Sequence, residues 1–154
     1  MSENSVVHGT FTIERTYKHT PAKVFAAFHD PRKKRRWFAE GEGWEVEEFK
    51  VDFRVNGFET SRFRFKGGPE MTNHTLFTDI VPDRRIIVCY TMAVAGKRIS
   101  SSLGTTQFIP VGSGTKVIYT EQVVFLDGAD ATKDREAGSR ELFEALEREL
   151  NRED

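Results

Sequence analysis

About eighty consecutive residues, from Trp44 to Phe125, read almost entirely as strands and turns, and they lie between a short amphipathic helix near the N-terminus and a longer one at the C-terminal end. That layout leaves few architectures. A long antiparallel sheet must bury one face, and with helices only at its two ends it curls over them as an α+β fold. Such a sheet tends to leave a hollow against the helix, and a hollow is where small molecules bind.

The first strand is read over Thr10–Tyr17, where alternation puts Phe11, Ile13, Arg15 and Tyr17 on one face. Thr20 and Pro21 then form a helix start, with the Thr20 hydroxyl as cap and Pro21 at the first helical position. Val24, Phe25 and Phe28 make the apolar stripe of that helix, and Pro31 opens a second short helix reaching about Trp37. Six further strands follow, the first two joined at Asn56-Gly57, the strongest hairpin signal in the chain. After a polar loop over Leu126–Asp130, GSRELFEALEREL places Leu142, Phe143, Leu146 and Leu150 at helical spacing. The opposite face carries Glu141, Glu144 and Arg148. A meander of seven strands results, with one domain expected over residues 1–154 and its ordered part at about 8–151.

Charge and composition narrow the function classes. With 23 basic and 24 acidic residues the chain lacks the basic excess of a nucleic-acid binder. Its densest basic run, Arg32 to Arg36, is followed by Glu40, Glu42, Glu45, Glu47 and Glu48, so it reads as a solvated helix face. No apolar run approaches the roughly 20 residues of a membrane span, and no leader pattern stands at the start, which points to the cytoplasm. The lone Cys89 sits in RIIVCY and is expected to be buried and inert. Thirteen phenylalanines, two tryptophans and three tyrosines supply flat side chains that fill a core or line a cavity.

The residues that carry chemistry are few. None of His8, His19, His29 and His74 has a ligand-type neighbour at metal-binding spacing, so no metal site and no cofactor is expected. No nucleophile elbow is present, and Cys89 has no evident basic partner except Arg85, which is expected to point outward. Ser100, Ser102 and Thr106 can donate to a ligand if they face inward, though half-exposed strand positions are the plainer expectation. On the last strand Val117, Tyr119, Glu121 and Val123 share a side.

The words IERTYKHTPAKVFAAFHDP, RVNG, GGPE, DIVPDRRI, RISSSL, GTKVIYTEQ, FLDG and AGSRELFEALEREL, in this order from about Thr10 to Leu150, resemble the START-like helix-grip superfamily, also called SRPBCC. The bacterial branch named after the heat-shock-protein-90 ATPase activator homologue is the nearest in pattern. The chain departs from that branch after Trp37, where Phe38-Ala39-Glu40 replaces a second Trp followed by Gly-Pro. The resemblance implies a curved seven-stranded sheet gripping the C-terminal helix, two short helices after the first strand, and an apolar cavity between sheet and helix. It also makes the first and last strands neighbours, so that Arg15 and Glu121 are expected to meet as a partly buried ion pair.

On this basis the expected function is binding of a small hydrophobic or amphipathic molecule. Phe28, Trp37, Phe53, Phe63, Phe65, Tyr90, Phe108, Tyr119, Phe143 and Leu146 are the expected lining, with Arg15 and Glu121 as polar anchors. Two rivals stand beside it. In a polyketide-type cyclase or dehydratase, Glu121 or His74 would move a proton. In a chaperone-associated domain, a protein partner would matter instead. A homodimer is compatible with all three.

Overall fold

The computed structural model describes residues 3–128 and 131–152. In chain order these form β1 (Val6–Tyr17), α1 (Pro21–His29), α2 (Pro31–Lys34) continuing into a π-helical turn (Arg35–Ala39), β2 (Trp44–Val51), β3 (Phe58–Phe65), β4 (Met71–Val81), β5 (Arg85–Val94), β6 (Lys97–Val111), β7 (Gly114–Leu126) and α3 (Thr132–Leu150). The strands make one antiparallel sheet in the order β1-β7-β6-β5-β4-β3-β2, with β1 and β2 at its edges. This is the helix-grip arrangement, an α+β fold with two short helices after the first strand. Of the loop read over Leu126–Asp130, Ala129 and Asp130 lie outside the described residues.

Both short helices start as the sequence dictates. Thr20 Oγ1 accepts from the Lys23 N–H at 3.2 Å ahead of Pro21, and Asp30 Oδ1 accepts from the Arg32 N–H at 3.0 Å ahead of Pro31. The β2–β3 connection differs from expectation. It is a six-residue loop, Asp52–Gly57, because the Asn56 N–H donates to the Phe77 carbonyl at 2.8 Å and the Gly57 N–H to Arg54 at 2.8 Å, pinning the loop to β4. A side chain at Gly57 would meet the Asp52 carbonyl oxygen 2.1 Å away.

Cross-strand register arranges the inner face in rows. One row runs Phe125, Ser100, Met92, Asn73, Ser61, Phe49, and the next runs Val123, Ser102, Tyr90, Thr75, Glu59, Val51. Then come Phe11, Glu121, Gly104, Val88 and Phe77, and after them Ile13, Tyr119, Thr106, Ile86 and Ile80. α3 packs on β1, α1 and the π turn. Beneath it the rings stack edge to face: Phe108 lies 5.4 Å from Phe25 and 5.1 Å from Phe28, and Phe28 lies 5.0 Å from Trp37. The Tyr17 hydroxyl donates to the Phe143 carbonyl at 2.8 Å, and Trp37 Nε1 donates to the Ala27 carbonyl at 2.8 Å. Buried polar atoms of the aromatic core therefore have partners, as a dry interior requires.

Candidate functional site

The inner face is not uniformly apolar. Glu121 is fully buried and stands opposite Gly104, whose missing side chain leaves room for the Tyr119 phenol; a Cβ there would meet the hydroxyl at 3.0 Å. Four donors converge on this carboxylate. Oε2 accepts from the Tyr90 hydroxyl at 2.6 Å, from Ser102 Oγ at 2.8 Å and from Arg135 Nη1 at 3.1 Å, while Oε1 accepts from the Tyr119 hydroxyl at 2.6 Å. Arg135, in the first turns of α3, also donates from Nη1 to the Tyr90 hydroxyl at 3.1 Å and from Nη2 to Ser100 Oγ at 2.8 Å. Its guanidinium carbon lies 5.2 Å from the Phe125 ring centre.

Taking a carboxylate out of water costs several kcal/mol, and the charge-assisted bonds from the guanidinium and three hydroxyls offset that cost. Burial, followed by the negative charge of Glu121, pushes the Tyr90 hydroxyl above the usual tyrosine range. Burial likewise pushes Tyr119 well up, with its neighbours Tyr90 and Glu121 adding to the shift. Both phenols therefore stay protonated as donors.

A second buried ion pair stands on the other side of the same face. Lys34 Nζ donates to Glu59 Oε1 at 2.9 Å, with side chains 12% and 2% exposed, and the ammonium lies 4.5 Å from the Phe38 ring centre. Between the two pairs the floor is Ser100, Ser102, Thr75, Asn73 and Ser61, all buried. The expectation of half-exposed positions for Ser100, Ser102 and Thr106 is corrected: all three point into the protein, since strand alternation places them on the face of Phe108.

Several other expectations are corrected. Arg15 and Glu121 do not meet. Arg15 pairs with Val117 in register and its guanidinium donates to Glu147 of α3 at 3.1 Å, whereas Glu121 stands opposite Phe11 and takes Arg135 as its cation. Phe28, Trp37, Phe108, Phe143 and Leu146 are buried in one packed cluster, and Phe53 packs against Phe25 and Phe77, so these rings meet one another as core. Phe65 is 48% exposed and, with Phe63, stacks on Trp44 toward the β2 edge. His74 is exposed and lines an open groove of about 680 Å³ with Thr72, Thr91 and Arg98, so it is not an acid/base group of the interior. Cys89 is exposed because its register partners Leu76 and Leu103 lie on the outer face. Tyr90, Tyr119 and Glu121 are the expected residues that the fold brings together.

Sequence reasoning missed Arg135. It falls between the loop read to Asp130 and the helix read from Gly138, yet it sits two turns before Leu142 and Phe143 on the same helical stripe, and extending that period N-terminally would have placed a lone cation on the buried face. Within the run Arg32–Arg36, Arg32, Lys34, Arg35 and Arg36 each have a separate carboxylate partner, among them Arg36 on Glu149 through two bonds of 2.9 and 2.6 Å. Among the described residues no cluster of three His, Cys, Asp or Glu is placed to hold a metal ion, and no helix is long and apolar enough to cross a membrane.

Residues 18–151 match the sequence model of the family described as Activator of Hsp90 ATPase homolog 1-like protein. Among solved structures, the Mll3558 protein of Rhizobium loti is 51% identical, with 94% of this chain and 99% of that chain covered and a TM-score of 0.88. A protein of Rhizobium leguminosarum is 39% identical over 97% of this chain and 99% of that one, with a TM-score of 0.93. An AHSA1-like protein of Aeromonas hydrophila, at 20% identity, 92% coverage of each chain and a TM-score of 0.70, shares the fold. No curated protein matches.

Proposed function

This chain belongs to the Activator of Hsp90 ATPase homolog 1-like family, and from that premise we propose that it binds a small amphipathic molecule on the inner face of its sheet, beside the Glu121–Arg135 cluster. The observation that supports this reading most is the fully buried Glu121 with its ring of hydroxyl donors on a face that could have been filled with apolar side chains. Polar groups of this kind destabilise a core unless every one is satisfied, and an apolar replacement is often neutral or better. Half-buried Phe49, Phe63, Val88 and Met92 on the same face supply apolar surface next to it. A ligand oxygen would exchange for one of the hydroxyl contacts of Arg135, and the ligand's apolar part would lie on that surface.

A cyclase or dehydratase reading has less support. Both oxygens of Glu121 are already engaged by donors, the two tyrosines hold their protons, and His74 is on the outer face. A general base needs a lone pair within reach of the substrate proton. An ATPase-activating role, taken from the family description alone, would show as faster ATP hydrolysis by a chaperone mixed with this protein. Native mass spectrometry of the purified protein tests the ligand reading: a retained small molecule that disappears in Arg135→Met is expected, and the bare polypeptide mass in every preparation would overturn it.

A further inference from the structure

Ser61 is 1% exposed, and among the described residues its hydroxyl has no hydrogen-bond partner. A buried hydroxyl left in that state is a net cost to the fold, of the kind that persists where function uses the group. Its surroundings are specific. Register places it between Phe49 and Asn73, in the row that continues through Met92 to Ser100, the hydroxyl that accepts from Arg135. The adjacent row sets Glu59 and Thr75 alongside, and Thr75 Oγ1 donates to Asn73 Oδ1 at 3.4 Å.

We propose that Ser61, with Asn73 beside it, is a second polar subsite that receives a neutral hydrogen-bonding group, a hydroxyl, carbonyl or amide, from the far end of an elongated ligand. This rests on the ligand-binding reading above and deepens it. The neutrality follows from the charges: Lys34 and Glu59 cancel each other across 2.9 Å, so no uncompensated charge stands ready for an ionised group. The spacing follows from the sheet. Ser61 on β3 and Ser100 on β6 are three strands apart, about 14 Å at the usual inter-strand distance, with Asn73 on β4 and Met92 on β5 between them. The ligand is therefore a molecule with two polar ends about that far apart.

The test uses the intact protein, saturated α,ω-diols of increasing length and the matching mono-alcohols, followed by backbone-amide NMR titration. Diol affinity should peak at the length whose hydroxyls span about 14 Å. Ser61→Ala should weaken the best diol about fivefold, the equivalent of one ordinary net hydrogen bond, and leave its mono-alcohol unchanged. The unliganded variant should keep or raise its melting temperature, because it loses an unsatisfied polar atom. A diol advantage that survives Ser61→Ala, or the lack of any length optimum, overturns the subsite while leaving the Glu121 cluster as a mono-alcohol site. A fall of several degrees in the unliganded variant would show that the hydroxyl serves the fold, and would also overturn it. Failure of both alcohol series to bind removes the ligand-binding reading itself.

Discussion

Replacing Arg135 by methionine separates a buried ion pair from a surface one. Arg135 and Glu121 are 13% and 0% exposed and 3.1 Å apart, so at an effective dielectric near 20 their attraction is about 5 kcal/mol. Removing the cation strands a carboxylate that three hydroxyls still hold, which puts the expected loss near the lower end of the roughly 3–5 kcal/mol seen for broken buried pairs. For a chain of this length, about 3 kcal/mol corresponds to a fall of about 6–12 °C in Tm. Arg15→Met is the internal control, because Arg15 and Glu147 are 30% and 49% exposed and such a pair contributes less than about 1 kcal/mol. Urea unfolding followed by tryptophan fluorescence reads both variants, and adding Glu121→Gln to Arg135→Met should recover part of the loss. Equal costs for the two arginine variants would refute the reasoning, since they would mean that the Glu121 carboxylate is solvated.

Two further outcomes are expected. All three tyrosines, Tyr17, Tyr90 and Tyr119, are shifted upward mainly by burial, so the folded protein holds these protons above pH 10 while the unfolded chain releases them. Their contribution to stability is complete below about pH 10 and is lost as the pH rises beyond it, so tyrosinate absorbance should appear only with alkaline unfolding, and a simple titration near pH 10 in folded protein would contradict the burial. Cys89, exposed on the outer face, should react with a thiol reagent in the native state; protection until denaturant is added would contradict its placement.

The fold was legible because its signals are local. Strand alternation, the Thr20-Pro21 and Asp30-Pro31 starts, and turn residues at each reversal point the same way, and the structure has all seven strands in the expected places. Site partners were less legible because they depend on register between distant strands and on which side chain of a helix reaches inward. Glu121 was correctly placed on the inner face, but its cation comes from α3, and the start of that helix is masked by the polar residues Thr132 to Glu136. Arg15 looked equivalent to Arg135 by charge, yet Glu147 sits one helix turn from Phe143, close enough to draw it to the rim. The roles of the interior rings were less legible for a different reason. Thirteen phenylalanines are compatible with a lined hollow or with a filled one, and only the mutual ring angles distinguish the two.

The pairing of β1 with β7 joins Val6 to Leu126 and Tyr17 to Thr115, the most sequence-distant ladder in the sheet. Strands β2 to β7 can zip one after another as they leave the ribosome, but β1 emerges first and must wait roughly a hundred positions for its neighbour. At about 5–20 residues per second, that is a wait of roughly 5–20 s with Phe11, Ile13 and Tyr17 bare. Glu14 and Arg15, set among those apolar positions, put charge into that segment, and charge of this kind disfavours pairing with the same strand of an adjacent chain.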